Sequence, residues 1–177
     1  MKKLFNTSLL MLACLAMTTV FTACDPEEKT KIDEDEKNLT FLCDSVTIAD
    51  GSTFTSSKVD ETLLEMMGKY QFTPGISLVG DCDGKIIVEV KSLNETEIDV
   101  CMSFQCRTTS ENNDYTVNAT SDIVANTPLA LDIHYSVPVN VNTPQVFRAE
   151  ALITAYYEGE EDNAVSFTLV MTDAKVE

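Results

Sequence analysis

The sequence predicts an all-β fold, an antiparallel β-sandwich, on three observations. From residue 76 onward, apolar and polar residues alternate with period two over one run after another, which marks strands with one buried and one wet face. Clusters of turn-forming residues separate these runs at regular intervals. Four cysteines, Cys43, Cys82, Cys101 and Cys106, remain in the part of the chain that can fold, an even number that suits an exported, disulfide-stapled domain.

Taken in order, strands are expected at 39–48 and 70–80. Between them, SSKVDETLLEMMGKY reads as one short helix near 58–68, with Ser57 or Asp60 as its cap and Gly68 as its stop. KIIVEVKS turns Ile86, Val88 and Val90 inward and Glu89 and Lys91 outward. EIDVCMSF sets Ile98, Val100, Met102 and Phe104 against Glu97, Asp99 and Ser103. LALDIHYSV buries Leu129, Leu131, Ile133, Tyr135 and Val137, leaving Asp132, His134 and Ser136 in water. FRAEALITAYY carries Phe147, Ala149, Ala151, Ile153 and Ala155 inward, and VSFTLVMT does the same with Val165, Phe167, Leu169 and Met171. Turns fall at DCDG 81–84, LNET 93–96, SENND 110–114, ANTP 125–128, NVNTP 140–144 and EGEEDN 158–163.

The stretch DVCMSFQCRT, 99–108, places two cysteines in one hairpin. If Ser103 and Phe104 form a two-residue turn, Met102 and Gln105 flank it, and Cys101 faces Cys106 in the next, non-hydrogen-bonded pair. Cα atoms there lie about 4.5 Å apart, within disulfide range. Ser-Phe is poor turn chemistry, so a looser loop stays open. Zinc would want short Cys-x2-4-Cys units paired with others or with histidines, and the chain has one histidine. Redox motifs keep two residues between their cysteines, against four here. The pair reads as a staple, and by elimination Cys43 pairs with Cys82.

The chain opens MKKLFNTSLLMLACLAMTTVFTAC. Lys2 and Lys3 followed by an apolar run to Val20 read as a secretory signal, too short and poorly flanked for a transmembrane anchor. FTAC at 21–24 resembles the bacterial lipobox, although Phe21 stands where leucine is more typical. That resemblance implies cleavage after residue 23 and acylation of Cys24, with the lipid as the link to a membrane. Asp25, Glu27, Glu28 and the run Asp33 to Glu36 follow. An acidic cluster in that place resembles the export signal of Bacteroidetes surface lipoproteins, and implies outer-membrane anchoring with the domain facing the cell exterior; the plainer alternative is a solvated tether. The expected organisation is a signal peptide at 1–23, a lipidated cysteine with an acidic, disordered tether at 24–37, and a β-sandwich at 38–177.

The C-x4-C hairpin, the DIHY strand and the closing AYYEGEEDNAVSFTLVM hairpin are together similar to immunoglobulin-like modules of secreted Bacteroidetes proteins. The similarity covers roughly residues 76–172 and implies an immunoglobulin-like β-sandwich, with no biochemistry attached to it.

A formal charge of −17, made more negative by losing Lys2 and Lys3, is a poor match for nucleic acid or an anionic membrane face. His134 and Asp132 share an outward face, but no nucleophile elbow or activated serine accompanies them, so no catalytic residue is assigned. The acids of DCDG and EGEEDN offer oxygen ligands of the kind calcium takes, without the spacing of a calcium loop; no metal and no cofactor is expected. No phosphate-binding loop or dinucleotide fingerprint occurs. DSV at 44–46 matches the short Bacteroidetes O-glycosylation pattern, which implicates Ser45, although a place within a strand would hide it. The N-x-[ST] triplets at Asn38, Asn94 and Asn118 carry no meaning in a bacterium. The expected function is a cell-surface, non-catalytic binding, adhesion or assembly module with a protein or glycan ligand. The alternative is an accessory or hydrolytic protein acting on host glycans or peptides.

Overall fold

A computed structural model describes residues 37–60, 69–138 and 147–173, all within one compact unit. Twelve strands run through the described residues: β1 Leu39–Cys43, β2 Val46–Ile48, β3 Thr53–Ser56, β4 Lys69–Phe72, β5 Ile76–Gly80, β6 Gly84–Ser92, β7 Asp99–Met102, β8 Gln105–Thr108, β9 Thr116–Ile123, β10 Leu129–Pro138, β11 Arg148–Tyr157 and β12 Val165–Thr172. Short 3-10 turns at Thr109–Glu111 and Glu161–Asn163 link β8 to β9 and β11 to β12.

The strands form two sheets. One runs β2-β1-β5-β10-β7-β8, with β4 also pairing along β10; the other runs β3-β12-β11-β6-β9. The arrangement is the expected immunoglobulin-like sandwich, antiparallel except where β3 lies parallel to β12. Inward residues interdigitate between the layers, as the alternation requires: Ile86, Val88 and Val90 of β6, Ala149, Ala151, Ile153 and Ala155 of β11, and Phe167, Leu169 and Met171 of β12 are buried. Phe41 of β1 meets Phe167 of β12 edge to face, ring centroids 4.8 Å apart, a favoured aromatic geometry that joins the layers at the β1–β2 edge. At the other edge, the Ser103 and Ser121 hydroxyls hydrogen-bond at 2.7 Å and tie the β7–β8 hairpin to β9.

Several expectations are corrected. The run 39–48 is not one strand but a hairpin: Cys43 pairs with Val46, and Asp44 and Ser45 both take positive φ, 45° and 73°, the pattern of a type I′ turn. The run 70–80 divides at Pro74-Gly75, where proline supplies no N–H to a ladder and Gly75 takes φ 72°. The start of the expected helix is extended instead: Val59 bridges Phe72, with Asp60 N–H donating to Gln71 and Thr73 N–H to Lys58. The rest of that segment, 61–68, lies outside the described residues, as do the expected signal peptide, Cys24, the expected tether up to residue 36 and the expected turn at 140–144. Two strands went unforeseen, β3 and β9.

Candidate functional site

The β7–β8 hairpin is closed by a disulfide and presents an exposed tip. Its register pairs Cys101 with Cys106 and Met102 with Gln105, leaving Ser103 and Phe104 as the turn. Cys101 and Cys106 are disulfide-bonded, with their Cα atoms 4.1 Å apart. Ser103 takes φ 57°, and positive φ at the first central position alone is the type II′ pattern usually given to glycine. The staple behind the turn and the Ser121 hydroxyl beside it hold that unfavourable backbone in place.

Below the staple, buried Thr109 locks the base of the hairpin. Its hydroxyl accepts from Ile98 N–H at 2.9 Å and donates to Thr96 C=O at 3.0 Å. Glu111 accepts from Thr108 N–H at 3.1 Å, and Thr108 donates its own hydroxyl to Asp99 at 2.7 Å. On the inner face Val100 and Met102 are buried. Phe104, expected to follow them inward, is instead fully exposed, at 104%. Period two ends where the chain reverses, so a residue in the turn has no inward face to take. A rigid hairpin therefore offers a bare aromatic ring to solvent.

The second expected disulfide does not form. Cys43 and Cys82 are both free thiols. The β1–β5 register pairs Cys43 with Ile76 and Leu39 with Gly80, so Cys43 sits at one end of the pair and Cys82 lies beyond the other. Ile76 and Gly80 are already about 13 Å apart along β5, while a bridge needs Cα atoms within about 7 Å. Cys43 is buried and donates to Pro74 C=O at 3.0 Å. Burial, with the Asp44 charge beside it, pushes its thiol pKa above the ordinary range. Cys82 uses its carbonyl, which accepts from the Tyr157 hydroxyl at 2.9 Å.

His134 and Asp132 do share the outward face of β10, Asp132 exposed and His134 half-buried. The residue opposite His134 across the ladder is Asp99 of β7, whose carboxylate is occupied by Thr108. The acidic turns act as caps and ion-pair partners. Asp81 accepts from Asn38 N–H and its side-chain amide, which hold its carboxyl below the usual range. Asp83 caps Ala125 N–H at 2.8 Å, Glu158 pairs with Lys85 and Glu160 with Lys37. Among the described residues no three His, Cys, Asp or Glu side chains converge on a metal-sized site. Ser45, placed by sequence within a strand, is at an exposed hairpin tip, beside the exposed Val46.

One groove of about 220 Å³ opens at the opposite edge of the sandwich, lined by β1, β2, the following turn and Val165. It is smaller than the roughly 300–1,000 Å³ of small-molecule sites.

No family model matches the sequence, and no curated protein does. Solved structures do: 18 chains match, among them the N-terminal domain of PorA, with a TM-score of 0.55 at 10% identity, over 76% of this chain and 96% of that one. The fold is what they share. This chain matches nearly all of that neighbouring domain, while so low an identity transfers no residue's role.

Proposed function

We infer that the protein is a lipid-anchored, non-catalytic interaction module displayed on the outer surface of the outer membrane. The observation that carries the reading is Phe104, fully exposed at the tip of a stapled hairpin. A rigid aromatic ring held in water is what a binding hot spot offers: large contact area at small entropic cost. The FTAC sequence at 21–24 and the acids behind it support anchoring through Cys24 and outward display. The partner is a protein or a glycan, and the negative net charge makes the domain a poor match for nucleic acid. The Asp44-Ser45-Val46 hairpin tip is exposed, which supports Ser45 as a glycan acceptor.

Metabolic labelling with a fatty-acid analogue tests the anchor: the wild type takes the label and Cys24→Ala does not. Protease added to intact cells should remove the domain; protection in intact cells with loss in lysed ones would place it on the periplasmic face. A panel of glycoside and peptide substrates tests the non-catalytic reading, which turnover abolished by His134→Ala would overturn.

A further inference from the structure

We propose that the Phe104 tip docks a basic protein partner, a surface or segment rich in lysine and arginine, with the ring packed against a cationic side chain and the carboxylates around it neutralised. The proposal rests on the interaction-module reading above and names the chemistry of its partner.

The tip belongs to one end of the sandwich. Ser103 bonds Ser121 of β9, two residues before Ile123, which pairs with Gly84 at the start of β6. The turn after β9 returns to the end of β5, where Asn126 N–H donates to Gly80 C=O at 2.7 Å and Asp83 caps Ala125 N–H. The turn after β11 joins them, with Glu158 N–H donating to Lys85 C=O at 2.9 Å. Four turns thus share one end of a rigid scaffold, the usual place for contact residues. Two of them present bare apolar side chains, Phe104 and Val124.

Charge decides what can cover that ring. Lys37 and Lys85, the lysines of this end, are already used by Glu160 and Glu158, and Arg107, the next cation along β8, pairs with Glu111. Asp81, Asp83, Asp122, Glu161 and Asp162 are in no ion pair among the described residues. An anionic partner is repelled by them, and a neutral sugar gains nothing from their charge. A purely apolar surface would cover the ring but strip water from nearby carboxylates without pairing them, which is costly. Lysine or arginine answers both demands. Its methylene stem packs on an apolar ring while its head reaches the carboxylates, and the face of the ring itself attracts a cation within about 6 Å. The field of a chain with formal charge −17 also steers such a partner in and speeds its association.

The test is fluorescence anisotropy with two labelled synthetic peptides of equal length, one of lysine and arginine around a single leucine, the other with glutamate and aspartate in their place. Each is titrated with residues 25–177, which include the whole compact unit. The wild type should bind the basic peptide and not the acidic one, and the affinity should fall as salt shortens the Debye length from about 10 Å at 0.1 M. Phe104→Ser, at an exposed site that leaves the core untouched, should weaken binding roughly tenfold or more, while Phe104→Tyr, which keeps the ring, should preserve it. The decisive arm compares two charge reversals. Asp122→Lys with Asp162→Lys changes the end that carries the tip. Glu95→Lys with Glu97→Lys makes the same change at exposed positions just past Ser92, at the other end of β6 and about 27 Å from Gly84. The first pair should weaken binding as Phe104→Ser does, and the second should leave it nearly unchanged. The acids of residues 25–36 are common to every variant and drop out of that comparison. No binding of the basic peptide, equal losses from the two reversals, or no effect of Phe104→Ser would each overturn the proposal. If neutral glycans or the acidic peptide bind through Phe104 instead, the interaction module stands and the basic partner is wrong.

Discussion

The Tyr157 hydroxyl donates to the Cys82 carbonyl at 2.9 Å, joining residues 75 positions apart in sequence. The ring reaches that carbonyl by crossing two glycines. A Cβ on Gly80 would collide with the Tyr157 hydroxyl, and one on Gly84 would press against the ring edge at 3.0 Å. The end of β5, the start of β6 and the end of β11 are thus locked by one phenol.

Gly80→Ala should lower stability by about 1–3 kcal/mol, because the collision falls on a hydroxyl held by its own hydrogen bond. Tyr157→Phe should cost about 1 kcal/mol. In the double variant the costs should fall short of their sum, since the phenylalanine removes the atom with which the new methyl collides. Urea unfolding of the four proteins gives the coupling, and strict additivity would show that the methyl is accommodated elsewhere.

Thr109→Val keeps the shape of a buried side chain but strands Ile98 N–H and Thr96 C=O, both of which now meet its hydroxyl. A loss of about 1–3 kcal/mol is expected. Faster hydrogen exchange at Ile98 would trace the loss to the hairpin base, and an unchanged Ile98 amide would refute that origin.

Reduction of Cys101–Cys106, or its double replacement by serine, should cost about 2 kcal/mol in the chain-entropy account of a short loop. The fold should survive, because the β7–β10 ladder and Thr109 still hold the hairpin. Loss of all cooperative unfolding in the double serine variant would contradict this.

In the folded, non-reduced domain, Cys82 should react with a thiol reagent well before Cys43. Cys82 is part-exposed, whereas Cys43 is buried, hydrogen-bonded and held in its protonated form. Mass spectrometry of the alkylated chain reads the order. Recovery of a Cys43–Cys82 peptide would mean that the β1–β5 register is wrong.

Alkali should destabilise the domain more than mild acid does. Burial, with the Cys82 contact, raises Tyr157 above its ordinary value, and burial with the Asp173 charge raises Tyr135. Both are neutral in the folded state, so their stabilisation is complete below about pH 10 and is lost as pH climbs through their folded values. Cys43 shifts the same way and brings the onset down toward about pH 9. Asp81 runs opposite, its contribution present above its unfolded pKa and lost as pH falls, but it is fully exposed and its effect is slight. The urea midpoint should hold level from about pH 5 to 9 and then drop, less steeply in Tyr157→Phe. Equal slopes in both proteins would remove Tyr157 from the explanation.

Strands with large inward residues were legible in the sequence. Ile86, Val88 and Val90 or Phe167, Leu169 and Met171 leave no doubt which face is dry. β9 was not legible, because its run TVNATSDI has small Ala119 and polar Ser121 where large apolar residues would keep the alternation visible. β3 has only one large apolar residue, Phe54, and depends on β12 for its place. The hairpin at 101–106 was readable because turn length alone fixes which residues face each other. Elimination misled at Cys43 and Cys82 because counting cysteines says nothing about the β1–β5 register. Phe104 misled because hydrophobicity signals burial only where the backbone has an inside.

The parallel pairing of β3 with β12 places Thr53 beside Thr168, and Asp50 caps Ser166 N–H across 116 positions. Contacts this remote close large loops, and folds built on them are slow, in the range of about milliseconds to seconds. As the chain emerges from its amino terminus, β3 therefore has no local partner to form on. It must wait until the last strand arrives. That makes the final strand, rather than any early segment, the one that closes the smaller sheet and completes the groove wall at Val165.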